Sequence, residues 1–219
     1  MKHIVPLIKN HKDIIVFLIL MVVFRSSFAD INRVPTGSML PTIVEGDRII
    51  VNKVAYDLQL PLVGTKLLHL ADPARGDIVI FESNVSDQRL VKRVIGIPGD
   101  IVSMEANKLN INGKNLEYSV DRTATSPTSR FLALKEDLLG QNHEIWVNSI
   151  RPGRDSFSAV RVPKGFYLVL GDNRDNSIDS RYIGLVPRTE IIGRSNKLLM
   201  SLDAENYYLP RTDRLFKKL

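Results

Sequence analysis

The stretch Arg89-Leu-Val-Lys-Arg-Val-Ile-Gly-Ile-Pro-Gly-Asp100 decides the fold class of this chain. Its mostly apolar part, Leu90–Ile95, predicts a strand, and the Gly and Pro residues that follow end it. Similar runs at Arg48–Val54, Asp77–Phe81 and Phe166–Leu170 predict three more strands. We therefore expect a mainly β protein with a strongly curved, barrel-like antiparallel sheet.

Three segments outside these strands carry other patterns. Residues 108–114 predict a hairpin, because Asn112 and Gly113 supply the positive φ angles of a type I′ turn. The helical spacing of Phe131–Leu139 predicts a short helix. Residues from about 105 to 160 are rich in Asn, Ser, Thr and Arg, so we expect a small insertion there between core strands.

The composition excludes several classes of site. The chain has 219 residues, 44% apolar and 25% charged, which suits one globular domain. Without cysteine, neither a disulfide nor a thiolate metal site can form. The four histidines have no metal-ligand spacing, and we predict neither a metal ion nor a cofactor.

The net charge of +6 is concentrated at the two ends of the sequence. Basic residues outnumber acidic ones in residues 1–29 and in residues 206–219, whereas the two are equal in number between these ends. A neutral body with basic ends suits an anionic membrane surface and argues against a nucleic-acid partner.

An uninterrupted apolar run, Ile14–Phe24, follows the first lysines. Its positive flank predicts a cytoplasmic N-terminus and an exported body. A helix of this length spans only about 17 Å, so the run must extend to Ala29 to cross a bilayer. We therefore predict a single membrane anchor within residues 1–28 and an extracytoplasmic domain over residues 29–219.

Two alternatives exist for this N-terminal segment. Ser27-Phe28-Ala29 has the small-x-small form of a signal-peptide cleavage site, so the segment is either retained as an anchor or removed. A buried helix of a soluble protein is less favoured, because the charge is so asymmetric.

The stretch Pro35-Thr-Gly-Ser-Met-Leu-Pro-Thr42 predicts a tight turn around a serine. Gly37 allows a sharp turn, and the two prolines restrict the chain on either side. Such a turn can direct the Ser38 hydroxyl and N–H to one point, as a nucleophile and an oxyanion donor require, and Thr36 adds a second hydroxyl. Taken alone, the octapeptide also fits an ordinary surface turn.

Lys92 is the candidate base for this serine. None of the stretches 35–42, 89–100 and 171–181 contains a histidine, and the guanidinium of Arg93 does not deprotonate. Strand alternation puts Lys92 on one face with Leu90 and Val94, and an apolar face lowers the pKa of a lysine. The alternative is a solvated lysine on an edge strand.

The stretch Gly171-Asp-Asn-Arg-Asp-Asn-Ser-Ile-Asp-Ser-Arg181 is a polar loop after a buried strand. A calcium loop is one interpretation, but the spacing is wrong for it and Arg174 puts a cation among the ligands. An ion-pair loop fits better, with Asp179 paired to Arg181 and Ser177 holding the lysine amine. A purely structural loop is the third interpretation.

Together and in this order, the three motifs resemble the bacterial type I signal peptidases. These are membrane-bound Ser–Lys proteases that remove signal peptides from exported proteins. The resemblance extends to Gly46-Asp47, Gly76–Phe81 and Gly99-Asp100. The segment at about 105–160 and the C-terminal tail match only loosely.

The resemblance implies a role for each motif. Ser38 is expected to be the nucleophile and Lys92 the general base, with Ser177 orienting the lysine. The Ser38 N–H and the Thr36 hydroxyl are expected to form the oxyanion hole. The implied structural ion-pair residues are Asp172, Asp179, Arg181 and Arg93.

The resemblance also implies the substrate and its binding. Small apolar pockets that accept Ala-x-Ala sequences are expected from Val34, Met39, Ile43, Leu90 and Val91. The expected partners are exported preproteins, bound as an added strand, and the lipid bilayer of the cytoplasmic membrane; we expect a monomer. Asn32, at a usually apolar position, and Thr36, where Ser is commoner, depart from the family pattern and leave the substrate range open.

Two other functions remain open at this stage, and a third is discounted. A specialised peptidase for conjugation or pilin precursors would share the motifs. Self-cleaving repressors share the dyad, but they carry a helix-turn-helix domain where this chain has a hydrophobic segment. A non-catalytic, membrane-anchored binding module is the alternative from another class of protein.

Overall fold

The structure is a computed structural model and describes residues 11–120, 131–150, 153–204 and 206–219. In these residues, helix α1 (Lys12–Ser27) precedes the strands, and the short helix α2 (Ser180–Ile183) lies late in the chain. Three 3₁₀ turns are formed by Gly37–Met39, Lys53–Ala55 and Thr212–Arg214.

The main sheet has eight antiparallel strands. Seven of them are ordered β1 (Ala29–Arg33), β2 (Asp47–Asn52), β16 (Ile191–Asp203), β5 (Ile78–Ser83), β6 (Gln88–Gly96), β14 (Phe166–Leu170) and β15 (Val186–Pro187), while β17 (Leu209–Pro210) pairs with β16. The mainly β, antiparallel prediction is confirmed. The barrel-like prediction is wrong for the described strands, because the sheet stays open between β1 and β15.

Three smaller sheets complete the fold. One contains β10 (Glu117–Val120), β11 (Phe131–Asp137) and β12 (Asn142–Asn148); another contains β13 (Phe157–Arg161), β7 (Ile101–Glu105), β8 (Lys108–Ile111) and β9 (Lys114–Asn115); the third pairs β3 (Asp57–Gln59) with β4 (Lys66–His69). The hairpin prediction is confirmed, since Asn112 and Gly113 have φ angles of 54° and 82° between β8 and β9.

The helix predicted over Phe131–Leu139 is wrong, because most of this segment is strand β11. Its partner β12 pairs with it along its whole length, from Phe131 opposite Asn148 to Asp137 opposite Asn142. Pairing with the next strand of the chain therefore outweighs the helical spacing of the apolar residues.

Strand β5 lies at the centre of the main sheet and is buried on both faces. Ile78 and Ile80 pack into one apolar cluster, and Val79 and Phe81 pack into a second. Both faces are covered because apolar segments fold back over the sheet, and the turn that carries Met39 is one of them.

One row of paired residues crosses the main sheet from the end of α1 to β6. Its members are Ala29, Asn52, Arg194, Val79 and Lys92. Lys92 is thus four strands away from the residue at which the chain enters the sheet.

Helix α1 has 16 residues and includes the apolar run Ile14–Phe24. Across the described parts of the chain, no helix combines the length and the apolar character needed to cross a membrane.

Candidate active site

Ser38 and Lys92 lie side by side in the structure. Ser38 is in the 3₁₀ turn Gly37–Met39, and the buried side chain of Met39 anchors this turn in the core. Lys92 projects from the middle of β6, and its Nζ donates hydrogen bonds to Ser38 Oγ at 2.8 Å and to the Val91 carbonyl at 2.9 Å. The amine and the hydroxyl are therefore at proton-transfer distance.

The Lys92 side chain is buried, with the residue only 2% exposed, so the solvated-lysine alternative is wrong. Burial lowers the pKa of Lys92 from 10.5 to about 8, although the carboxylates of Asp179 and Asp172 act in the opposite direction. Desolvation dominates because no carboxylate in the described residues is within ion-pair distance of the amine.

Asn173 holds the serine turn in place from the 171–181 loop. Its backbone N–H donates to the Ser38 carbonyl at 3.1 Å, and its side-chain Nδ2 donates to the Gly37 carbonyl at 2.9 Å. The residue is almost fully buried. Sequence reasoning did not single out Asn173, which is one of two asparagines in this polar loop.

Asp172 links the loop to the lysine strand. Its carboxylate accepts two hydrogen bonds from Arg93, at 2.9 and 2.7 Å, and one from Thr42 Oγ1 at 2.5 Å. Burial alone raises the pKa of Asp172, but the Arg93 guanidinium outweighs it and the pKa is lowered. Arg93 is therefore neutralised by a carboxylate, whereas the structure, over the residues it describes, gives its neighbour Lys92 no such partner.

Arg174 is buried in a second ion pair behind the loop. It forms two hydrogen bonds with Glu136 on β11, at 2.9 and 2.6 Å, and His143 Nε2 on β12 lies 3.2 Å from the same carboxylate. Burial favours the neutral acid, yet Arg174 and His143 hold the pKa of Glu136 below its usual range. Sequence reasoning missed Glu136 and His143, which lie in the segment predicted as a small insertion between core strands.

Asp179 and Arg181 form the pair expected at the end of the loop. Arg181 donates to Asp179 from Nε at 2.8 Å and from Nη2 at 2.7 Å, and Gly171 N–H donates to the same carboxylate at 3.0 Å. The third acidic residue, Asp175, accepts from the backbone N–H groups of Asn148 and Gly153. The three carboxylates thus have separate partners, which favours the ion-pair interpretation of this loop over a calcium loop.

Ser177 is buried near the turn, but its hydroxyl makes no hydrogen bond to any described residue. Gly171 lies between the two serines: a Cβ there would come within 2.3 Å of Ser177 Oγ and 2.5 Å of the Ser38 carbonyl oxygen. Only glycine fits at this position. The structure therefore brings Ser177 to the site without a hydrogen bond to the Lys92 amine.

The remaining candidate residues divide into two groups. Val34, Met39 and Ile43 are buried in one apolar cluster, against which Val91 packs, whereas Leu90 packs against the other cluster. Thr36 is exposed at the start of the serine turn, and its side chain forms no capping hydrogen bond.

Residues 7–200 match the protein family described as signal peptidase, peptidase S26. The chain belongs to this family. It is 34% identical to signal peptidase I of Pseudomonas fluorescens over 210 residues, with 89% of this chain and 73% of the relative covered. It is 35% identical to signal peptidase I of Pseudomonas aeruginosa over 212 residues, with the same shares covered. Membership makes the chain a serine endopeptidase.

A solved signal peptidase I from Enterococcus faecalis is also similar in sequence. It is 32% identical, with 57% of this chain and 97% of that chain covered, at a TM-score of 0.37. The family match includes the three motifs at 35–42, 89–100 and 171–181, and it ends at residue 200, before the C-terminal tail.

Proposed function

We propose that this protein is a membrane-attached endopeptidase that cleaves signal peptides from exported preproteins with a Ser38–Lys92 dyad. The observation that carries the proposal is the buried Lys92 amine, which lies 2.8 Å from Ser38 Oγ and has no carboxylate partner in the described parts of the chain. With its pKa lowered to about 8, roughly one amine in ten is neutral at pH 7 and able to accept a proton.

The proposed reaction has two halves. Neutral Lys92 takes the proton of Ser38 as Oγ attacks the scissile carbonyl, and the Ser38 N–H and Thr36 hydroxyl stabilise the oxyanion. The Lys92 ammonium then gives its proton to the leaving amine, which leaves an acyl ester on Ser38. In the second half, Lys92 deprotonates a water molecule that hydrolyses this ester, and Oγ recovers its proton.

The open edge of β6 suits an extended substrate. Strand β14 pairs with β6 only from Arg93 to Gly96, so among the described strands residues 88–92 pair on one side alone, with β5. A substrate strand added beside this edge would pass directly in front of Lys92. Small residues are expected at the two substrate positions that face the protein, because the family resemblance assigns shallow apolar pockets to Val34, Met39, Ile43, Leu90 and Val91.

Two features support attachment to a lipid bilayer through the N-terminal side of the molecule. Helix α1 exposes most of the apolar side chains described for it. The turn between β3 and β4 touches the end of this helix, where Leu62 N–H donates to Ser26 Oγ at 3.2 Å. Leu62 and Val63 in this turn are 77% and 74% exposed. Apolar surface of this kind is typical of membrane contact.

The decisive experiment is cleavage of a preprotein with an Ala-x-Ala site by the full chain in detergent. Wild type, Ser38→Ala and Lys92→Ala are compared, with Lys108→Ala as a control for loss of an exposed lysine. We expect wild type and Lys108→Ala to cleave after the second alanine, as N-terminal sequencing of the product would reveal. Both dyad variants should lose activity by at least about a thousandfold while remaining folded.

Other outcomes would change the proposal. Turnover by Lys92→Ala near the wild-type level would eliminate the dyad mechanism. If folded wild type leaves general preproteins intact but cleaves precursors encoded near its own gene, the specialised precursor peptidase is correct. Failure on both sets of precursors would favour the non-catalytic binding module.

A further inference from the structure

The C-terminal tail, residues 206–219, is part of the folded domain. Its basic residues suggested contact with a membrane surface, but Arg211 pairs with Asp203 at 3.0 Å and Arg214 pairs with Asp47. Strand β17 adds to the end of β16, and Lys218 forms an isolated bridge with Lys197. The tail lies outside the family match, so the family resemblance assigns it no role.

Arg214 is the buried residue of this tail, at 8% exposure. Its Nε and Nη2 donate to the two carboxylate oxygens of Asp47, at 3.1 and 2.6 Å, and Nη2 also donates to the Thr42 carbonyl at 3.1 Å. One planar guanidinium thus holds a carboxylate and a main-chain oxygen together, which a lysine ammonium would do less well.

Both partners of Arg214 are tied to the two arms of the Ser38 turn. The Asp47 carbonyl accepts from Val34 N–H before the turn at 2.9 Å, and its carboxylate accepts from Val44 N–H after the turn at 2.9 Å. Thr42 continues the connection, since its hydroxyl donates to Asp172.

We propose that Arg214 is a positioning residue for Ser38. It fixes the return segment between Thr42 and Asp47, and so sets the place of the Ser38 hydroxyl relative to the Lys92 amine. Asn173 holds the same turn from the opposite loop, so the turn is clamped from two directions. This inference rests on the proposed dyad function.

The test compares Arg214→Gln with wild type in preprotein cleavage. Lys217→Gln is the matched control, because it removes one positive charge from an exposed side chain of the same tail. We expect Arg214→Gln to lower kcat by roughly 10- to 100-fold and to change KM by less than about threefold, because a small displacement of the nucleophile reduces turnover more than binding. Lys217→Gln should match wild type.

Two further readouts separate positioning from simple loss of stability. The midpoint of the pH profile should stay at the wild-type value, because Arg214 does not set the pKa of Lys92. The fraction of molecules that a serine-reactive peptide phosphonate finally labels should also equal that of wild type. A lower labelled fraction with normal kcat per labelled molecule would overturn the inference, and so would an unchanged kcat.

Arg214→Lys keeps the experiment decisive if Arg214→Gln does not fold. The ammonium retains the charge opposite Asp47 but does not reproduce the fork to Thr42, so kcat should fall between wild type and the expected value for Arg214→Gln. Full wild-type kcat in Arg214→Lys would refute the positioning role. Lack of cleavage by wild type itself would instead refute the proposed function.

Discussion

The 171–181 loop and the turn between β3 and β4 reverse the usual distribution of polar and apolar residues. In the loop, Asp172, Asn173 and Arg174 are each 1% exposed. In the turn, Leu62 and Val63 are among the most exposed apolar side chains of the described chain. Burial of charged side chains and exposure of large apolar ones are both unfavourable for the folding of a protein in water. Each arrangement therefore indicates a function.

The difference teaches what each region interacts with. The buried charges of the loop face other parts of the protein, and their hydrogen bonds to Glu136, Arg93 and the Ser38 turn fix the geometry of the site. Among the described residues, the exposed apolar side chains of the turn have no comparable partners. Under the proposed function, their partner is lipid.

Breaking the buried ion pair should produce the largest effect. Arg174→Met leaves the Glu136 carboxylate buried without its main partner, and should reduce the free energy of unfolding by about 3–5 kcal/mol. Arg89→Met, which breaks the exposed Arg89–Glu82 pair, is the control and should cost no more than about 1 kcal/mol. Urea unfolding measures the stability of both variants, and equal losses would contradict the distinction between the buried and the exposed ion pair.

Removing the buried Lys92 amine should change the free energy of unfolding in the opposite direction. The folded pKa of Lys92 is about 8 and its unfolded pKa is 10.5, so burial of the ammonium destabilises the fold by about 3 kcal/mol below pH 8. Lys92→Met should therefore be more stable than wild type at pH 7. This gain in stability over wild type should disappear as pH rises from 8 to 10.5, because Lys92 then becomes neutral first in the folded and then in the unfolded wild type.

Thermal and urea unfolding between pH 6 and 11 would measure this difference. Lys108→Met provides the exposed control, for which no such pH-dependent gain is expected. A Lys92→Met variant less stable than wild type at pH 7 would mean that the amine is stabilised by its surroundings.

Loss of the Asn173 side chain should have an intermediate effect. Asn173→Ala leaves the buried Gly37 carbonyl without this donor, which should lower kcat by roughly tenfold or more with KM nearly unchanged. Asn176→Ala is the control, because Asn176 is exposed in the same loop. Steady-state cleavage kinetics would measure both, and equal kcat values would remove Asn173 from the positioning of Ser38.

Polar substitutions in the exposed turn should have the smallest effect on the fold. The double change Leu62→Ser and Val63→Ser should alter the free energy of unfolding by no more than about 0.5 kcal/mol and leave cleavage in detergent unchanged. Sedimentation with phosphatidylglycerol vesicles should nevertheless decrease. Val120→Ser, an exposed apolar position on β10, is the control and should bind vesicles like wild type.

The sequence predicted those parts of the molecule in which local pattern and packing agree. Strand β14 is found at its predicted residues, and β5 is shifted by no more than two residues at either end. Ser38 and Lys92 were recognised from short motifs, and the structure brings them together.

The sequence could not predict residues whose role depends on distant partners. Glu136 is buried in β11 because Arg174, 38 positions later, neutralises it, and no local pattern records that pairing. The same applies to Arg214, whose partner Asp47 is 167 positions earlier. In both cases a charged residue that the sequence would place at the surface is buried in the fold.

The row of paired residues from Ala29 to Lys92 sets the distance between the end of α1 and the lysine strand. Four interstrand spacings place the Cα atom of Lys92 at most about 19 Å from that of Ala29, where the chain enters the sheet after α1, whatever the tilt of the domain. An extended peptide covers this distance in about six residues. If α1 is embedded in lipid to its last turn, a substrate must place its scissile bond within that reach of its own embedded segment. In polypeptides with a longer polar stretch before the bond, that stretch would reach the site without being fully extended. In those with a much shorter stretch, the scissile bond would not reach Lys92.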